Sequence, residues 1–202
     1  SRPSILMTLS MMAERGVEAD FTGNTITVPA ASYRPGDFTI EGDWSAAAFW
    51  YEIAAVSSGF VGLDGLKLPS KQGDSVVSEI FTHLGINTAD GEDADLDLLA
   101  SPDQDARINY DFSDCPDLAH AVIATCALLG IPFKITGLHS LRIKETDRIE
   151  AMRRELLTIG VTVAVTGDDL MEWDGRRPQI CRLPRFDTYA AHRLAMAPPA
   201  VS

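Results

Sequence analysis

Between residues 142 and 155 cations and carboxylates alternate: Arg142, Lys144, Arg148, Arg153 and Arg154 are interleaved with Glu145, Asp147, Glu150 and Glu155. A cluster of this kind can form a local pocket for a small anion. It can equally be a helix face laced with ion pairs three and four residues apart, and charge alone leaves both readings open. Asp43 and Asp117 each stand at the head of an apolar run, where a carboxylate is favoured as a cap or in the first turn of a helix.

Other chemistries find less support. Cys115, Cys126 and Cys181 are odd in number and widely separated, with no CxxC and no histidine at metal-ligand spacing, so they read as reduced thiols. His83, His120 and His139 are isolated and read as surface or packed residues. The formal net charge of -12 (17 Lys and Arg against 29 Asp and Glu) argues against a nucleic-acid or anionic-membrane surface. An apolar fraction of 46% with 23% charged residues suits a soluble globular chain of 202 residues. No run approaches the roughly 18 apolar residues of a membrane span, and the first residues lack the apolar stretch of a signal peptide, so a cytoplasmic protein is expected.

Internal repetition organises the chain. Gly16, Gly85 and Gly160 each close an amphipathic helix and are followed by a short alternating strand and a turn. Asp43 opens the apolar helix Trp44 to Val56, and Asp117 opens Leu118 to Leu129 at nearly the same interval. Gln72-Gly73-Asp74 precedes a helix of Ser75 to Leu84, and Glu145-Thr146-Asp147 precedes one of Arg148 to Ile159. Gly59 to Leu66 and Ile131 to Leu138 read as buried strands, both ending in Gly-Leu. The predicted unit is helix, strand, helix, strand, strand, repeated about every 70 to 75 residues, a small α/β module. Both apolar helices are expected to be buried behind a sheet. The chain starts and stops out of phase with this unit, which leads us to expect a fragment.

Several stretches resemble the EPSP synthase family. Arg142-Ile143-Lys144-Glu145-Thr146-Asp147-Arg148 is similar to its [RV]-x-KE[ST]DR signature, and Glu41-Gly42-Asp43-Trp44-Ser45-Ala46-Ala47 to its EGD-x-S-[SA]-A helix entry. Gln72-Gly73-Asp74 resembles its QGD turn, Cys115-Pro116-Asp117 its PD motif, His192-Arg193-Leu194-Ala195-Met196 its HR-[MLI]-AM motif, and Ser1-Arg2-Pro3 its S-[KR]-P segment. The six stand in the family's order and span essentially the whole chain, corresponding to the latter half of a member.

The resemblance implies the inside-out α/β fold of that family, two lobes of three βαβαββ units each, here incomplete. Residues 1–34 would be part of the last unit of one lobe, and 35–202 most of the second: about two units and the start of a third. It also implies the reaction, in which the 5-hydroxyl of shikimate 3-phosphate adds to C2 of phosphoenolpyruvate and phosphate leaves from a tetrahedral intermediate. No cofactor or metal is implied, the two substrates are the partners, and the complete protein would be a monomer. By position Asp117 would be the base and Glu145 a proton-transfer residue. Lys144 and Ser140 would meet shikimate, Ser1 its phosphate, and Arg148 and Arg193 would grip phosphoenolpyruvate.

The pattern breaks at three places. Ala190-Ala191 replaces the acid usual before His192-Arg193, Ser4 stands where the family has tyrosine, and Ser140 where it has asparagine. The family's early lysine-serine pair and arginine, its S-[SA]-Q loop, its LFLGNAGTA-like segment and its late lysine have no counterpart, so the isolated chain is expected to show no carboxyvinyl transfer. Two alternatives are the sister enzyme acting on UDP-N-acetylglucosamine, whose motifs lack KETDR, and a non-catalytic lobe of the same fold.

Overall fold

The computed structural model describes residues 2–143, 147–176 and 196. Helix α1 (Arg2–Glu14) leads through Gly16, at φ +82°, into a hairpin of β1 (Asp20–Thr22) and β2 (Thr25–Thr27). Helix α2 (Trp44–Ser57) follows, then β3 (Val61–Leu63) and α3 (Val77–Ile80), which is flanked by 3-10 turns at Gly73–Val76 and Phe81–Leu84. After it come β4 (Ile86–Asp90) and β5 (Leu96–Ala100). The next stretch is β6 (Ile108–Asp111), a 3-10 turn at Pro116–Leu118, α4 (Ala119–Leu129) and β7 (Phe133–Thr136). It continues through a 3-10 turn at His139–Leu141, α5 (Arg148–Thr158), β8 (Ala164–Thr166) and β9 (Leu170–Trp173).

The repeat is real in three dimensions. The sheet β6-β7-β9-β8 pairs β6 with β7 in parallel and β9 antiparallel to both β7 and β8, so β6 to β9 with α4 and α5 form one βαβαββ unit. The sheet β3-β5-β4, antiparallel throughout, has the same connectivity as β7-β9-β8. The hairpin β1-β2 occupies the corresponding place after Gly16. The helix of residues 75 to 84 differs from expectation. It is a chain of 3-10, α and 3-10 turns, which winds Val77, Ile80, Phe81 and Leu84 inward before Gly85 stops it at φ +83°.

The core lies where α2 and α4 pack on each other and on the sheets. Helix α4 is buried along most of its length, from Ala119 through Ala127 apart from Ala124. Helix α2 is buried as its apolar sequence led us to expect along most of its length, with Trp44, Tyr51 and Ala54 inaccessible, but Trp50 and Ile53 remain 50% exposed. Its apolar residues encircle the helix, and the described structure covers only one side of it. Strand β3 is also less buried than predicted, with only Leu63 inside. Cys115 and Cys126 are buried free thiols, as their spacing suggested, and burial pushes Cys115 up to about 12. No described helix is long and apolar enough to cross a membrane.

Glu52 is anomalous in this core. It is 4% exposed, and its Oε2 has no hydrogen-bond partner. Burial holds its carboxyl well above the usual range. The unfolded chain ionises this group above about pH 4.3, whereas in the folded chain burial shifts its ionisation to higher pH. Its contribution is therefore present at low pH and is lost as pH rises towards the folded value. Glu52→Met should raise the thermal midpoint more at pH 8 than at pH 5. An unsatisfied buried polar group costs about 1–3 kcal/mol, and each kcal/mol is about 2–4 °C for a chain of this size. Thermal melts at the two pH values check the sign.

Candidate active site

The apolar helices bring four loops to one end of the structure, where they enclose a concavity of about 430 Å³. The first turns of α1 (Pro3, Ser4) and α2 (Ser45) form part of its wall. Gln72, Gly73 and Asp74 add a second part, Ser113, Asp114, Pro116 and Asp117 a third, and His139 and Ser140 the last.

A carboxylate fixes the α2 side of this wall. Glu41 Oε1 accepts from Trp44 Nε1 at 2.9 Å and Lys67 N at 3.3 Å, and its Oε2 from Ser70 Oγ at 2.7 Å and Gln72 Nε2 at 2.9 Å. Burial alone would raise its pKa, but these hydrogen bonds hold it below the ordinary value. Gln72 also donates to Gly42 O at 2.7 Å and accepts from Trp44 N at 3.1 Å. The loop of 67–72 is thereby tied to the entrance of α2, and Ser45 Oγ donates to Asp74 across the join. Gly73 lets Pro3 of α1 come close, since a Cβ there would sit 2.4 Å from the proline's Cβ. Lys71 also reaches back to α1, pairing with Glu14 at 2.5 Å.

Asp43 and Asp117 look alike in sequence and behave differently in space. Asp43 caps α2, its side chain accepting from Ser45 N at 2.9 Å. Asp117 lies inside the 3-10 turn before α4, whose cap position is Leu118 and carries no side-chain cap. Instead Asp117 Oδ1 accepts from Arg148 Nη1 at 3.1 Å, although the two are 31 residues apart. Arg148 is buried at 3% exposure, behind the pocket wall, while the Asp117 side chain keeps 26%.

The cation cluster divides accordingly. Arg153 and Arg154 both bind Glu150, at 2.8 and 2.9 Å, and hydrogen bonds first from Arg153 and then from Arg154 bring that carboxyl down to about 2. For these two, the ion-paired helix face is the correct reading. Arg142 pairs with Asp147 at 2.8 Å, and of the four described cations only Arg148 reaches a carboxylate that lines the pocket, Asp117.

Of the sequence-derived site residues, Asp117 and Ser140 therefore line one concavity, and Arg148 reaches it only through its hydrogen bond to Asp117; Ser1, Lys144, Glu145 and Arg193 lie outside the described residues. Ser140 Oγ is buried with no hydrogen-bond partner. Ser4 and Ser140, two of the departures from the family pattern, face this same space. The sequence reading missed Ser45, Asp74, Ser113, Asp114 and His139 as lining residues. The only signal for them was that Ser45 and Asp74 belong to the EGD-x-S and QGD stretches.

Gly137 closes β7 at φ +79°, and a Cβ there would lie 2.1 Å from Ser113 N and 2.3 Å from Asp111 Oδ1. That contact seats the turn carrying His139 and Ser140 against the loop carrying Asp114. Gly137→Ala should destabilise the fold by about 2–5 kcal/mol, combining left-handed strain with a backbone clash. A urea unfolding midpoint that barely moves would contradict this.

Comparison with known proteins agrees with the architecture. Residues 1–199 match the family described as EPSP synthase (3-phosphoshikimate 1-carboxyvinyltransferase). A 3-phosphoshikimate 1-carboxyvinyltransferase of Bacteroides fragilis is 43% identical over 199 residues, 98% of this chain and 48% of the relative. One from Methanospirillum hungatei is 34% identical over 176 residues, 83% of this chain and 40% of the relative. The chain thus spans about half the length of the curated relatives it matches. A solved EPSP synthase from Acinetobacter baumannii superposes with a TM-score of 0.64 at 24% identity, covering 93% of this chain and 45% of that one, and has the same fold. With its motifs in order, its repeated βαβαββ unit and a family match along nearly its whole length, this chain belongs to the EPSP synthase family.

Proposed function

We propose that this chain supplies one wall of the cleft in which an enolpyruvyl group passes from phosphoenolpyruvate to the 5-hydroxyl of shikimate 3-phosphate, giving 5-enolpyruvylshikimate 3-phosphate and phosphate. Residues 1–34 would belong to the last unit of one lobe, and 35–202 to most of the other. The observation that carries this reading is Asp117, held from behind by the buried Arg148, on a concavity onto which the first turns of α1 and α2 and the 3-10 turn before α4 open. Helix starts present unpaired N–H groups and the positive end of the helix dipole, so their convergence favours an anionic ligand.

In this reaction Asp117 takes the proton of the 5-hydroxyl as its oxygen bonds to C2 of phosphoenolpyruvate, and the methylene carbon gains a proton. Glu145 serves the proton transfers at that carbon. When the tetrahedral intermediate collapses, the carbon loses a proton and the C–O bond to phosphate breaks. Arg148 and Arg193 hold the phosphoenolpyruvate oxygens, Lys144 and Ser140 the shikimate hydroxyls, and Ser1 the shikimate phosphate. The full protein is a monomer on this reading.

A second reading, a lobe that keeps the fold without the chemistry, draws on one feature. The described pocket lining carries Asp74, Asp114 and Asp117 and no lysine or arginine. Calorimetric titration of the chain with shikimate 3-phosphate separates the two. Saturable binding that weakens when Ser140→Leu fills the pocket is expected, and the absence of heat would favour the inactive lobe. For the chemistry, residues 1–199 can replace the matching part of the Bacteroides fragilis relative. Asp117→Asn in that chimera should lower kcat by about 10²- to 10⁴-fold, as for loss of a general base, with a smaller change in KM. An undiminished kcat would remove Asp117 from that role.

A further inference from the structure

Arg142 touches neither Asp117 nor the concavity, yet it joins the elements that hold Arg148 in place. Its Nη1 donates to Asp147 Oδ2 at 2.8 Å, its Nη2 donates to Gly167 O at 2.8 Å, and its Nε lies 3.2 Å from Asp168 Oδ1. One guanidinium therefore spans from the N-cap of α5 to the turn between β8 and β9. The other oxygen of the cap, Asp147 Oδ1, accepts from Glu150 N at 3.1 Å, so a single carboxylate both starts α5 and anchors it. The next residue is Arg148, the first of α5, whose guanidinium reaches Asp117. Two more contacts brace the same turn: Leu138 N donates to Asp169 O at 3.4 Å, and His139 Nδ1 lies 3.6 Å from Asp169 Oδ1.

An exposed ion pair would add little, since two long side chains must be ordered for a screened attraction. Arg142 differs in geometry. Its side chain is 26% exposed, and its planar fork meets two separate elements at fixed angles, which a flexible ammonium cannot reproduce. With no such tie, the N-cap of α5 loses its anchor on the β8–β9 turn, and the buried Arg148 that follows it loses a constraint on the direction of its guanidinium.

We infer that Arg142 is a positioning residue, clamping the N-cap of α5 to the β8–β9 turn so that Arg148 is held in register with Asp117. The inference rests on the proposed function for its consequence in ligand binding, but its structural part stands independently. The test compares the 202-residue chain with Arg142→Met, Arg142→Lys and, as a control on the same helix, Arg153→Met. Three quantities are read: the thermal midpoint, the side-chain Nε–H nuclear magnetic resonance of Arg148, and the affinity for shikimate 3-phosphate by calorimetry.

Arg142→Met should stay folded with a midpoint within about 4 °C of the parent. It should shift or broaden the Arg148 resonance and weaken shikimate 3-phosphate on the order of tenfold, as misaligned site groups do. Arg142→Lys, which keeps the charge but cannot span both elements, should perturb the resonance in the same direction, and it decides the matter if Arg142→Met fails to fold. Arg153→Met should change neither. An unaltered Arg148 resonance in the folded Arg142 variants, or an equal effect from Arg153→Met, overturns the inference. If the parent chain itself takes up no shikimate 3-phosphate, it is the proposed function that fails, and the Arg148 resonance alone still judges the clamp.

Discussion

Helices α2 and α4 lie against each other in the middle of the structure with their starting turns at the same end, and the loops take their places from that contact. Residues with no polar group to offer do this work: Ala47, Ala54, Val122 and Ile123 are almost inaccessible to water. Burying such surface contributes roughly 25 cal/mol per Å², enough to fix which ends of the helices coincide. Once these coincide, Ser45 and Asp117, distant in sequence, line one concavity.

Polar contacts then refine what the apolar packing sets up. Glu41 and Gln72 lock one loop to the entrance of α2, and Arg148 and Asp117 lock α5 to the turn before α4. Both locks combine a charged group with hydrogen bonds in partly dry surroundings, where such bonds are stronger than in water. Cross-links of this kind join different elements, unlike the Glu150 pairs with Arg153 and Arg154, which stay on one helix. The distinction is functional as well as energetic, because only the first kind fixes the direction of a side chain at the site.

The two repeats show how one unit is put to two uses. Their strand connectivity agrees, and in both a helix is ended by a glycine in the left-handed conformation, at Gly85 or just after α5 at Gly160. Yet α4 is almost wholly buried while α2 keeps Trp50 and Ile53 half-exposed. The difference lies in position within the helical layer rather than in composition, since both helices are strongly apolar.

Period, caps and motif order were legible in the amino-acid sequence, because they depend on neighbours a few residues away. They specified the repeated α/β unit, the helices beginning at Trp44 and Arg148, and the family. Caps and spacing by themselves did not separate the fates of Asp43 and Asp117, nor sort the four described cations Arg142, Arg148, Arg153 and Arg154 into surface pairs, a clamp and one buried guanidinium. Those outcomes follow from which groups meet across 30 residues or so of intervening chain, and only the packing of the helices and sheets decides such meetings.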